Sequence, residues 1–205
     1  MVFTKEEHKM SEIIVCYGDS NTYGFDPTSF FGDRYPKNSR WPEIIGQETG
    51  FNVMNAGANG REVPYPKSRA NAVRECVERH IKIFGQLGVW IMLGVNDLLS
   101  GRTAAETAKR MEGFIDVLKS SEYWPKMDIC LISPPPVQYG AWVDSERVYN
   151  ESRKLEPAYA AVAENIGISF IGTGGWNIQV AFDGVHFTEE GHRMFAEKLI
   201  SEKIL

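Results

Sequence analysis

Ser20 follows Asp19 at the end of the hydrophobic run EIIVCYG, and a hydroxyl presented there on a turn can act as a nucleophile when distant groups align with it. It needs a base. His186 can take the hydroxyl proton during attack and return it to a leaving group. Asp183 stands three residues earlier, within reach of the other imidazole nitrogen across a compact turn, where it would select the ring tautomer and stabilise the charged ring. Acyl transfer also demands donors for a carbonyl oxygen as negative charge builds on it. The Gly57 backbone amide, the Asn96 side-chain amide and the Ser20 amide are candidates. Taken singly these residues have plainer roles, since Asp-Ser pairs often satisfy turn backbone and glycine or asparagine often solve loop geometry. Only the combination points to chemistry. Asp97, beside Asn96, reads as a turn-stabilising group, and His192, inside an expected helix, as a packing or surface residue.

The elements that must position these groups alternate along the chain. EIIVCYG, FNVMN, GVWIMLG, DICLIS and ISFIG read as short strands bounded by glycine, asparagine or serine. Between them, RWPEIIGQETG predicts a short helix, and 68–84 predicts another with Ala72, Val73, Cys76, Val77 and Ile81 on its buried side. Thr103 with Glu106 predicts a capping box opening a helix whose stripe is Ala108, Met111, Ile115 and Leu118. A helix over 145–165 is expected to bend or break at Pro157, and a terminal helix to run from Glu190 to about Ile204. This alternation predicts an α/β fold, a doubly wound and largely parallel five-stranded sheet with helices on both faces. Strand ends at Gly18, Asn55, Gly94, Ser133 and Gly172 would gather the polar loops at one sheet edge. Residues 1–11 are expected to form a flexible N-terminal segment and 12–205 a single domain.

With 205 residues, 43% hydrophobic and 24% charged, the chain can build one substantial core. Twenty-two basic against 27 acidic residues give a net charge of −5, which argues against electrostatic nucleic-acid binding. No run is long and apolar enough for a membrane span, and no secretory signal pattern opens the chain. Cys16, Cys76 and Cys130 are too scattered for a metal cluster or a disulfide framework, which fits a reducing cytoplasm. No metal or other cofactor is expected. Asp183 and His186 alone do not make a coordination shell, and the glycine clusters do not form a phosphate-binding loop.

Four ordered blocks, GDSNTYG at 18–24, NAG at 55–57, GVND at 94–97 and DGVH at 183–186, resemble the SGNH hydrolases within the broader GDSL-like esterases. The resemblance spans most of the chain and implies a flavodoxin-like architecture. It also implies Ser20 as nucleophile, His186 as acid/base, Asp183 as its orienting group, and an oxyanion hole from Ser20, Gly57 and Asn96. The chain carries GDSN where several relatives resemble GDSL. RYPKNSRWPEII also resembles a segment of small arylesterase-like members, which points to an intracellular homo-oligomer. The substrates implied are small acyl, aryl or acetylated carbohydrate esters. Acyl transfer to an alcohol and non-catalytic carbohydrate binding are the alternatives. Trp41, Tyr65, Trp90, Tyr139, Trp142 and Trp176 offer surface for an acyl or aryl pocket, although packing is the commoner role for each. Tyr139 and Trp142, in PPPVQYGAW, are the substrate-wall candidates.

Overall fold

Side chains alternate across a strand, and in this protein the alternation feeds two separate hydrophobic cores. In the computed structural model, which describes residues 13–202, five strands form one sheet: β1 (Ile13–Gly18), β2 (Asn52–Gly57), β3 (Leu87–Met92), β4 (Met127–Ile132) and β5 (Ser169–Ile171). Their order is β2-β1-β3-β4-β5 and every neighbouring pair is parallel. Central β3 is buried along its whole length, as a strand covered on both faces must be. Its Leu87, Val89 and Ile91 enter one core while Trp90 and Met92 enter the other. The expected single-domain doubly wound α/β sheet is therefore the fold observed. The N-terminal segment 1–11 lies outside the described residues.

Three long helices, α3 (Lys67–Phe84), α5 (Ala104–Lys119) and α6 (Glu146–Ile166), cover the first face, while α2 (Trp41–Thr49) and α7 (Glu189–Ser201) cover the second. Two very short helices, α1 (Ser20–Tyr23) and α4 (Val95–Leu99), follow β1 and β3 directly. Periodicity cannot reveal elements of four or five residues, and both occupy positions that read as turns. The capping box at α5 is present: Glu106 N donates to Thr103 Oγ1 at 3.2 Å and Thr103 N to Glu106 Oε2 at 2.9 Å. Its four stripe residues are all buried.

Two expectations are corrected. Ala72 is exposed, because the buried face of α3 is set by Ala70, Val77 and Ile81. Trp41 and Trp90 pack in the second core, the commoner of the two roles open to them. The α6 helix is one 21-residue element that continues through Pro157, so the proline does not break it. An interior proline costs about 3 kcal/mol, whereas burying Val148, Leu155, Tyr159 and Val162 gains about 1.5–3 kcal/mol each, so packing prevails.

His192 on α7 is fully buried, and both its ring nitrogens lack a hydrogen-bond partner among the described residues. Its ring meets Tyr35 and Phe187 edge-on at 5.5 and 5.4 Å. Burial, with smaller repulsion from Arg40 and His186, pushes its pKa down to about 3. An unfolded chain would protonate this ring near pH 6.5, so below that pH unfolding takes up a proton that the native state refuses. The stability present above pH 6.5 is lost towards pH 3, by up to about 1.4 kcal/mol per pH unit. His192→Leu is expected to flatten this limb and lower the acid-unfolding midpoint. Urea melts at pH 7 and pH 4.5 check it, and an unchanged difference between wild type and variant would refute it.

Candidate active site

The C-terminal ends of β1, β2 and β3 and the loop after β5 converge on one edge of the sheet, where parallel α/β folds place ligands. At the end of β1, Asp19 caps α1 by accepting the Asn21 amide at 2.9 Å, and Ser20 becomes the first helical residue. As the first residue of α1, Ser20 has no helical acceptor for its amide. Asn55 at the end of β2 ties this turn down, its Nδ2 donating to Thr22 O at 2.7 Å and to Glu43 Oε2 at 3.0 Å. Gly57 pairs in register with Gly18, and a Cβ at Gly57 would stand 2.1 Å from Tyr23 N. Glycine is therefore required there so that α1 can lie against β2.

The loop carrying Asp183 and His186 folds back over this turn. Asp183 Oδ1 accepts the amides of Val185 and His186, each at 2.9 Å, and Oδ2 lies 2.7 Å from His186 Nδ1. On the other side of the ring, His186 Nε2 lies 2.9 Å from Ser20 Oγ. Burial alone would raise the Asp183 carboxyl, but the bonds from the His186 ring and from the His186 and Val185 amides more than offset it and lower its pKa. The carboxylate is thus held ionised and faces Nδ1, leaving Nε2 free to accept from the hydroxyl. Ser20, Asp183 and His186 are all nearly inaccessible to solvent. This connected chain can move a hydroxyl proton onto the imidazole as the oxygen attacks an electrophile.

The expected oxyanion donors differ in availability. Asn96, at the start of α4, donates one amide hydrogen to Arg61 O at 3.1 Å, which leaves a second. The Gly57 amide donates to Asn55 Oδ1 at 3.0 Å, so an incoming oxygen would have to share or displace that bond. Asp97 points away into a buried network, accepting from Val63 N at 2.9 Å and from Arg110 at 3.1 Å. Burial raises its pKa despite these donors. Asp19 is likewise pushed up to about 6 by burial, against the Asn21 amide and the nearby His186 and Arg61.

The two substrate-wall candidates separate. Trp142 stands edge-on to the His186 ring at 4.9 Å and remains half-exposed. Tyr139 instead stacks on Tyr149 of α6, with centroids 4.3 Å apart. Their loop has a further role that side-chain chemistry did not announce. Gln138, Ala141 and Trp142 donate backbone bonds to Gly184, Phe182 and Asp183, which clamps the carboxylate loop. A Cβ on Gly140 would stand 2.4 Å from Asp183 C, so this clamp depends on glycine. Sequence reasoning also missed Phe25, whose ring lies 4.8 Å from His186, and Arg61, which stacks over Tyr17 and donates to the Gly18 and Ala56 carbonyls. Neither sits in a pattern that periodicity or spacing would reveal. Among the described residues no three His, Cys, Asp or Glu side chains group to hold a metal ion, and no helix is long and apolar enough to cross a membrane.

Comparison with known proteins agrees with this fold. A search of curated proteins gives no match. Among solved structures, a carbohydrate acetylesterase family member from Sinorhizobium meliloti is 25% identical, with a TM-score of 0.78 over 93% of this chain and 96% of that one. The native aryl esterase of M. smegmatis is also 25% identical, with a TM-score of 0.79 over 93% and 97%. Residues 16–194 match the GDSL-like Lipase/Acylhydrolase family, a span that runs from β1 into α7 and takes in all four sequence blocks; the chain belongs to that family.

Proposed function

We propose that this protein is a serine-dependent carboxylic ester hydrolase acting on small acyl, aryl or acetylated carbohydrate esters. The observation that carries the reading is the unbroken path Asp183–His186–Ser20, at 2.7 and 2.9 Å. Ser20 Oγ attacks the ester carbonyl carbon while its proton passes to His186 Nε2. The oxyanion of the tetrahedral intermediate is met by the Ser20 amide, the second Asn96 amide hydrogen and the Gly57 amide if released from Asn55. Collapse breaks the bond to the alcohol oxygen, which takes the proton from His186. Water then repeats the sequence on the acyl-Ser20 ester, releasing the acid and restoring the hydroxyl. No metal or cofactor is invoked in any of these steps.

Two features support a small substrate. Phe25 and Trp142 flank the imidazole closely, giving an acyl methyl or an aryl or sugar ring apolar faces to rest on. The two relatives described above carry aryl esterase and carbohydrate acetylesterase in their names. The test is a panel of 4-nitrophenyl acetate, butyrate and octanoate with a fully acetylated monosaccharide. Acetate or butyrate is expected to lead, with kcat/KM on octanoate lower by at least about tenfold. Fastest turnover of octanoate would replace the small-ester reading with a long-chain one. Folded protein inert towards the whole panel would remove the esterase reading.

A further inference from the structure

The family takes its name from a Gly-Asp-Ser-Leu motif, and this chain has Asn21 in the place of the leucine. The Asn21 side chain is buried and reaches across more than 160 residues of sequence to the two neighbours of His186. Its Nδ2 donates to the Val185 carbonyl at 3.0 Å, and its Oδ1 accepts the Phe187 amide at 2.9 Å. A carboxamide presents an N–H donor beside a carbonyl acceptor in one plane, the same pair that a strand neighbour would offer a peptide. We propose that Asn21 is a positioning residue that sets His186 against Ser20 by holding the backbone on both sides of the histidine. This inference rests on the esterase reading for its kinetic arm.

The argument turns on which contacts can place one loop relative to another. All three bonds of the Asp183 carboxylate are to residues within three positions of it, so they orient the imidazole inside its own turn but cannot say where that turn sits. The 138–142 clamp ties the turn to the loop after β4, a strand separated in the sheet from β1 by β3, and makes no bond to α1 among the described residues. Among the described residues, the Asn21 bonds are the polar links between α1 and the 183–187 turn apart from the Ser20–His186 contact itself. Ser20 and Asn21 are adjacent in α1, whose turn is capped by Asp19 and tied by Asn55. The nucleophile and the clamp on its base are therefore one rigid unit. Relaxing the clamp frees the 2.9 Å Ser20–His186 distance without touching either residue.

Two variants and two readouts test this. Asn21→Leu keeps the volume and removes both bonds. Its kcat on 4-nitrophenyl acetate is expected to fall about 100-fold with KM within about twofold, the scale of a misplaced catalytic pair. Asn21→Asp distinguishes positioning from bulk stability. As a carboxylate it has no donor for Val185 O, whereas as a neutral acid it recovers both a donor and an acceptor. Its kcat relative to wild type should therefore rise by about tenfold between pH 8 and pH 5.5, while the Asn21→Leu ratio stays flat. The second readout needs no substrate. The low-field proton resonance of His186 Nδ1–H should shift or broaden in Asn21→Leu. Asn21→Leu retaining kcat within twofold, Asn21→Asp retaining it at pH 8, a pH-independent Asn21→Asp ratio, a rise in KM alone, or an unmoved resonance would each overturn the proposal. Ser20→Ala, run alongside, separates the two claims. Equal turnover by wild type and Ser20→Ala would refute the esterase reading, and the resonance would still judge the clamp.

Discussion

Ser20→Ala is expected to leave a folded protein whose ester turnover is lower by at least about 10⁴-fold, because the only atom removed is the one that forms the covalent bond. The structure offers little reason for the fold to change. The hydroxyl has one side-chain contact, His186 Nε2 at 2.9 Å, and α1 keeps its Asp19 cap, its Asn55 tie and the Asn21 clamp. Time-resolved 4-nitrophenol release from wild type and variant checks the rate, and thermal melts check the fold. Intact-protein mass spectrometry during wild-type turnover should find one acyl group, located by digestion to Ser20. An adduct elsewhere, or turnover that survives the substitution, would remove the nucleophile assignment.

The second large effect is expected from Asp183→Asn, which preserves shape and reverses one hydrogen bond. The Oδ1 acceptor for the Val185 and His186 amides remains, so stability should change little. At the other position an amide donor replaces the carboxylate oxygen that faces Nδ1 at 2.7 Å. The ring must then accept at Nδ1 and carry its hydrogen on Nε2, pointing at a hydroxyl whose proton it can no longer take. Triads of this geometry lose about 10⁴-fold in kcat from the change. The expected pattern is a collapse of kcat with a melting midpoint close to wild type. Asp183→Ala is less informative, since it also strands two buried amides and opens a cavity. Activity of Asp183→Asn within tenfold of wild type would show that the carboxylate does not govern the tautomer.

Much of this arrangement was legible in the sequence for physical reasons that can be named. The strands announce themselves because a sheet covered on both faces needs near-continuous apolar runs, as GVWIMLG supplies for β3. The α5 start was readable because a capping box is local, a matter of Thr103 and Glu106 three positions apart. A break at Pro157 does not occur because proline's cost is local while the burial that outweighs it comes from the rest of the molecule. Ala72 was misjudged because an apolar residue at the edge of a helical stripe faces the core only if the neighbouring element reaches it.

The same division runs through the site. The chain's own order of residues determined the chemical inventory: a serine after a strand, an Asp and a His three apart, an asparagine and a glycine at other strand ends. It also determined, through alternation and parallel winding, that those ends would meet at one edge. Tertiary structure alone decided how they meet. It placed Trp142 against His186 while turning Tyr139 onto Tyr149, and let Asn21 hold the backbone around a histidine more than 160 residues away. Periodicity and motif spacing record which face a residue takes and how far apart two residues lie along the chain. Hydrogen bonds of 2.9 and 3.0 Å across that separation depend on how two independently built loops pack, and no local pattern encodes that.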